Sequence, residues 1–488
     1  MKNNSQESTL TPRDRLLRDS FTQAEIFLTG LLVVSSIALL HPGQPRSYWL
    51  LGFFLIIGSL VPVALKTHEL NHPFFIDYLW SRYLYLSAPF WLLLVCFLIG
   101  SFQSPTETVI LENTEYQILK SINPWLPTTT KFGSAWICLL AYGCMHMLCI
   151  TLFIIPKSLA YFERVLPVMC LIATLVCVFG YMQKIAGSTT PFYAYEHATG
   201  DYFSIFAYDG HWAAYALLWM TVCFTFALRQ LEYEGFLPLS ETTIPWYLSG
   251  GLLLGYSGLF LKSAFPSAIL LLFFSGFAFI FTVSYLRSKR SNKDYRVAVF
   301  ALLLGTIAVT NAIIRLIKQA PYDLTAQGLR QSAWRMFCEN PLFGWGIDSF
   351  SHLAPFYQSD LLLNEKHERA FSEINQILAE FGLIGTLPII LALLIPLIRY
   401  FRGQHDFIMS NMLLSACAGV LIIALFDTPF MSPAVFFSFL TLFFSALRWG
   451  DLARKRVDEV DSKTVVVVTH SSKRGVPVYT GPKNERFK

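Results

Sequence analysis

Apolar runs close to twenty residues long recur from one end of this chain to the other, and that is the length a helix needs to cross about 30 Å of hydrocarbon. Lipid offers the backbone no hydrogen-bond partners, so each crossing segment must satisfy its own N–H and C=O groups, which favours helices over strands. Hydrophobic residues make up 54% of the 488 and charged residues 14%, a balance that a soluble chain could not hide. The expectation is an all-α, polytopic integral membrane protein with about twelve transmembrane helices. The first six fall at Ala24–Leu40, Tyr48–Leu65, Leu84–Phe102, Ser134–Ile155, Val165–Met182 and Trp212–Leu228. The second six fall at Ile244–Leu261, Phe265–Tyr285, Val297–Leu316, Ile377–Leu397, Met409–Phe426 and Pro433–Leu447. This divides the chain into an N-terminal segment 1–23, a transmembrane domain 24–447 holding a large loop 317–376 before the tenth helix, and a tail 448–488 expected to be largely disordered.

Basic residues alternate between faces. Arg13, Arg15 and Arg18 precede the first helix, and Lys66, Arg82, Lys157, Arg164, Arg287 and Arg296 fall on even-numbered connections. The odd-numbered connections at 41–47, 104–131 and 184–203 hold few. This positive-inside pattern puts both termini in the cytoplasm. The net charge of +5 then calls for no nucleic-acid partner and is explained by loops lying against anionic lipid. Residues 1–23 are polar and the first apolar run is followed by others, so that run reads as a membrane helix rather than a cleaved signal. The nine cysteines show no Cys-x-x-Cys or Cys/His zinc spacing, and neither a metal nor another cofactor is expected.

Coupled transporters place ionisable residues in mid-membrane, where they are costly and functional. Here the span interiors hold almost none, and His146, lying between Met145 and Met147, reads as a helix-packing residue. The chemistry is therefore expected at the outer face. Residues 184–211 interleave Tyr193, Tyr195, Tyr202 and Tyr208 with Glu196, His197, Asp201, Asp209 and His211. Aromatic faces with polar neighbours suit sugar rings, and an interfacial aromatic belt is the alternative. In the large loop, Arg330 and Trp334 share a face if helical, with Arg335 on a neighbouring one. Pro341 would stop that helix, and Gly344 and Gly346 allow a tight turn. Arginine beside a membrane suits phosphate, because its planar fork presents parallel donors.

Three stretches carry a family resemblance. Arg330-x-x-x-Trp334 leads to Asn340-Pro-Leu-Phe-Gly-Trp-Gly-Ile-Asp-Ser-Phe350; Leu378-Ala-Glu-Phe-Gly-Leu-Ile-Gly385 opens the next helix; Gly180-Tyr-Met-Gln183 and Gly210-His-Trp-Ala-Ala-Tyr215 lie upstream. Together, over about residues 165–447, the chain resembles the O-antigen ligase and O-antigen polymerase superfamily of bacterial inner-membrane glycosyltransferases. It departs from that family where a His-x-His-Asn-Asp segment is usual: Arg369-Ala-Phe-Ser-Glu373 puts Phe371 at the histidine position, with His367 four residues earlier. The family's Ser-Arg pair is closest to Lys262-Ser263.

The resemblance implies metal-independent transfer, at the periplasmic face of the bacterial inner membrane, of a glycan from a polyprenyl-diphosphate carrier. The acceptor would be a glycan, a lipid or a protein, and a polysaccharide assembly complex is an implied partner. Catalytic roles would fall to Arg330, Glu373 and His367, and Arg330, Lys262 and Arg335 would hold the diphosphate. His197, Tyr208, Asp209, His211 and Trp334 would bind glycan. The competing readings are a flippase of lipid-linked oligosaccharide and a non-catalytic glycan-binding family member.

Overall fold

A computed structural model describes residues 21–40, 48–69, 73–111, 114–188, 202–233, 239–288, 295–319, 324–358, 369–403 and 407–472. Helices α1 (Gln23–Ala38), α2 (Tyr48–Glu69) and α3 (Pro73–Gly100) lead into a hairpin of β1 (Thr106–Leu111) and β2 (Thr114–Leu119). Then follow α4 (Phe132–Ile154), α5 (Leu159–Ile185), α6 (Asp209–Tyr233), α7 (Ile244–Tyr256), α8 (Ala264–Arg287) and α9 (Tyr295–Gln319). The chain ends with α10 (Leu324–Glu339), the short α11 (Phe350–Leu353), α12 (Glu373–Arg402), α13 (Ile408–Phe426) and α14 (Pro433–Ser472).

Among the described residues nine helices are long and apolar enough to cross a membrane, fewer than the twelve spans expected. Helix α1 has 16 residues and α7 has 13. α7 stops early because the chain tightens into a 3-10 turn over Ser257–Phe260, where the Ser257 hydroxyl donates to the Leu254 carbonyl at 2.6 Å. The last helix continues to Ser472, well past the expected end at Leu447. The hairpin is a small departure from an all-helical chain. Its Thr- and Val-containing strands pair antiparallel from Thr106↔Leu119 to Leu111↔Thr114.

Helix α6 is the axis of the bundle, with 94% of its span buried. A helix enclosed on all sides in lipid must settle its polar groups with its neighbours. Trp212 Nε1 donates to Ser257 Oγ at 2.8 Å and Trp219 Nε1 to Ser438 Oγ at 3.2 Å. Thr221 and Thr225 donate back to carbonyls four residues earlier. By contrast α9 and α12 bury only 22% of their spans and turn apolar side chains outward. His146 does pack, its Nε2 meeting the Leu86 carbonyl at 3.0 Å between α3 and α4.

One end of the bundle gathers basic residues from the connections expected to be cytoplasmic. Glu69 pairs with both Lys66 and Lys157 at 3.3 Å, and Arg229 pairs with Glu163. The Arg448 guanidinium donates to the Pro156 carbonyl at 2.6 and 3.0 Å. The starts of α6, α8 and α12 and the end of α13 meet at the opposite end, termed here the site face.

Just inside the site face α12 is broken. Gly382 has φ 59° and ψ −166°, a conformation open essentially to glycine alone. The turn after α10 is wedged into the gap. Trp345 N and Gly346 N donate to the carbonyls of Ala379 and Glu380, and Leu383 N and Ile384 N donate to those of Pro341 and Leu342, all at 2.9 Å. The backbone groups freed by the break are thereby satisfied, as a membrane helix requires. Gly344 is equally constrained: its φ is 67°, and a Cβ there would sit 2.6 Å from the backbone of Glu380 and Gly382.

Candidate functional site

Asp427 follows the last residue of α13 and leads into Thr428-Pro429. Its buried carboxylate takes the Tyr208 O–H on Oδ2 at 2.8 Å and the Thr428 N–H on Oδ1 at 2.7 Å. The Arg369 guanidinium stands 4.3 Å over the Tyr208 ring. Burial holds Asp427 above the ordinary aspartate range, opposed by the Tyr208 and Thr428 hydrogen bonds and by Arg369. Tyr208 is pushed well up, first by burial and then by the adjacent Asp427 charge.

Asp209 opens α6. Its Oδ2 accepts the backbone N–H groups of Lys262 at 2.5 Å and Ser263 at 3.0 Å, tying the 3-10 turn before α8 to the start of α6. The same turn is held from the far side by Arg315, which donates to the carbonyls of Leu261 and Leu259 and to Ser267 Oγ at 2.6, 2.8 and 2.8 Å. Two residues along α6, His211 Nε2 donates to the Thr428 carbonyl at 3.1 Å, with the imidazole edge-on to Tyr208. Glu373, at the start of α12, donates its N–H to the Asp427 carbonyl at 3.1 Å and accepts the Phe430 N–H on Oε2 at 3.2 Å. Buried polar atoms without a partner remain here: Asp209 Oδ1, Ser263 Oγ and Thr428 Oγ1. Three carboxylates, two arginines and a histidine thus meet at the ends of four helices.

Of the residues singled out in the sequence, Tyr208, Asp209, His211 and Glu373 fall in this cluster, and Lys262 borders it with an exposed side chain. Arg330 lies on α10, its Nε donating to the Ala326 carbonyl at 3.2 Å and its own carbonyl taking the Asn375 amide at 3.4 Å. It is thus tied to the first turn of α12, alongside Glu373. Arg335 is exposed, and Trp334, 49% exposed, packs on Phe337 with centroids 5.3 Å apart. His197 and His367 lie outside the described residues.

Asp427 was not singled out, although a signal existed: it is the one charged residue between Met409 and Leu447. Arg369 opens the Arg369-Ala-Phe-Ser-Glu373 segment, at the place of the first family histidine, which is the one signal in the sequence that points to it. Glu380, by contrast, sits in a family-like motif yet is occupied structurally. It accepts the N–H groups of Asp348 and Phe350 at 3.2 and 3.3 Å and the Gln376 amide at 3.3 Å, which fastens the wedge to the broken helix.

The fold and site define a polytopic helical membrane protein with a charged cluster at one face. Comparison with protein-family models and with curated proteins finds no match to this chain.

Proposed function

We propose that the protein transfers a glycan from a polyprenyl-diphosphate carrier to an acceptor at the site face, in the manner of the O-antigen ligases and polymerases its motifs resemble. The observation that carries this reading is the convergence of Arg369, the Tyr208–Asp427 pair and Glu373 at the ends of membrane helices. A membrane-anchored donor presents its diphosphate and first sugar at that depth. An acceptor hydroxyl attacks the anomeric carbon; a new C–O bond forms, the bond to the diphosphate oxygen breaks, and the hydroxyl proton passes to a carboxylate. Glu373 is the assigned base and Asp427 its neighbour. Arg330, Lys262 and Arg369 are the cations offered to the leaving diphosphate, where negative charge grows. Tyr208, with Asp209 and His211 behind it, lines the sugar side.

The test is surface glycan in the native host after deletion of the gene and complementation with wild type, Glu373→Gln or Arg330→Ala. Single repeats in place of long chains mean a polymerase, and full-length polymer stranded on its carrier means a ligase. Lipid-linked repeats trapped on the cytoplasmic side, or full activity in both variants, remove the proposed mechanism.

A further inference from the structure

A groove of about 570 Å³ opens between α6, α8 and α13 at the end of the bundle away from the candidate site. Its lining includes Leu228 and Glu232 near the end of α6, Gly276 and Ser284 on α8, and Asn411 and Ser415 near the start of α13. Leu228 is nineteen residues beyond Asp209 in the same helix, which places it about 28 Å below the site face. The volume is within the range of about 300–1,000 Å³ usual for ligand clefts. Most of the lining is apolar, and all three walls are helices long and apolar enough to span a membrane. A groove facing lipid at this depth suits a hydrocarbon chain.

We propose that it binds one acyl chain of a glycerophospholipid bearing an amine headgroup, drawn from the leaflet opposite the candidate site. Polar groups mark where the headgroup would lie. Glu232 is the one charged residue in the lining, and a carboxylate attracts an ammonium and repels an anionic headgroup. Arg287 ends α8 three residues after Ser284, on the same side of the helix, and offers its fork to the lipid phosphate. Asn411 takes the Tyr400 O–H on Oδ1 at 2.8 Å, which leaves its amide N–H groups to donate to a phosphate or ester oxygen. Glu232 in the lining together with Arg287 at the end of α8 matches a zwitterionic phosphoethanolamine better than phosphatidylglycerol, which carries no positive charge. The site is independent of the glycan reading, since it shares no residue with the cluster at the other face.

Gly276 makes the test clean, because a Cβ built on it meets nothing within 4 Å, so a large side chain fills the groove without displacing the core. The purified full chain in detergent is titrated with phosphatidylethanolamine or with phosphatidylglycerol and read by native mass spectrometry. Wild type is expected to prefer the amine lipid by about tenfold, the size of one charge-assisted contact. Gly276→Trp, and Gly276→Leu as a smaller filling variant, should lose that adduct while keeping the wild-type circular dichroism. Glu232→Gln should retain lipid but bring the two headgroups to near parity. Equal binding of the two lipids by wild type, or an undiminished amine-lipid adduct in both filling variants, overturns the proposal.

Discussion

At the scale of single residues the cluster depends on one contact, the Tyr208 O–H on Asp427. Tyr208→Phe leaves a buried carboxylate short of a donor, so it should cost about 1.5–3 kcal/mol and lower the unfolding temperature in detergent. Asp427→Asn should behave differently, because it keeps an acceptor and removes a buried charge. Burial raises the Asp427 carboxyl above its ordinary range, so its protonated form is favoured in the fold. Its contribution to stability is therefore present at low pH and lost as pH rises through the folded value. The advantage of Asp427→Asn over wild type should grow as pH rises above the ordinary aspartate range towards the raised folded value. A melting-temperature difference independent of pH would mean that the carboxyl does not titrate as its burial implies. If Asp427 also works beside Glu373 in transfer, the same variant is more stable and less active.

Among the elements, the wedge and the broken helix form one unit. Two stretches stood out in the sequence, Asn340–Phe350 and Leu378–Gly385, and the structure shows them hydrogen-bonded to each other through the backbone. Of their glycines, Gly344 and Gly346 are the expected turn-formers, and they have φ of 67° and 94°. Gly382 is expected inside a continuous helix and instead marks a break in one. Nothing local shows that a helix will break, because the break is stabilised by a strand of chain from elsewhere. Gly382→Ala should cost about 1–3 kcal/mol for the backbone conformation alone, with a further penalty from contact with Leu342 and Gly344. Its unfolding midpoint against that of Gly276→Ala, a helical glycine in open space, separates this strain from helix propensity. Equal midpoints would mean that the break closes into regular helix.

Across the whole molecule, the two ends of the bundle differ in charge, and the chain carries its own probe of which end faces outward. Cys338, at the end of α10, is the one exposed cysteine among the nine, the others being buried or half-buried. A membrane-impermeant maleimide applied to intact spheroplasts should label wild type and not Cys338→Ser. Labelling only after the membrane is opened would put α10 in the cytoplasm and reverse the orientation drawn from the basic loops. The mean length of an apolar run and the placement of Lys66, Lys157 and Arg229 are properties of short segments, and lipid acts on each segment in turn. For that reason the sequence by itself determined the membrane class, most of the helices and which connections share a face. Tyr208 and Asp427 are 219 residues apart, and Glu373 and Phe430 are 57 apart. Such meetings depend on how whole helices pack around α6, which no local pattern encodes, and only the tertiary structure decided which charges stand together.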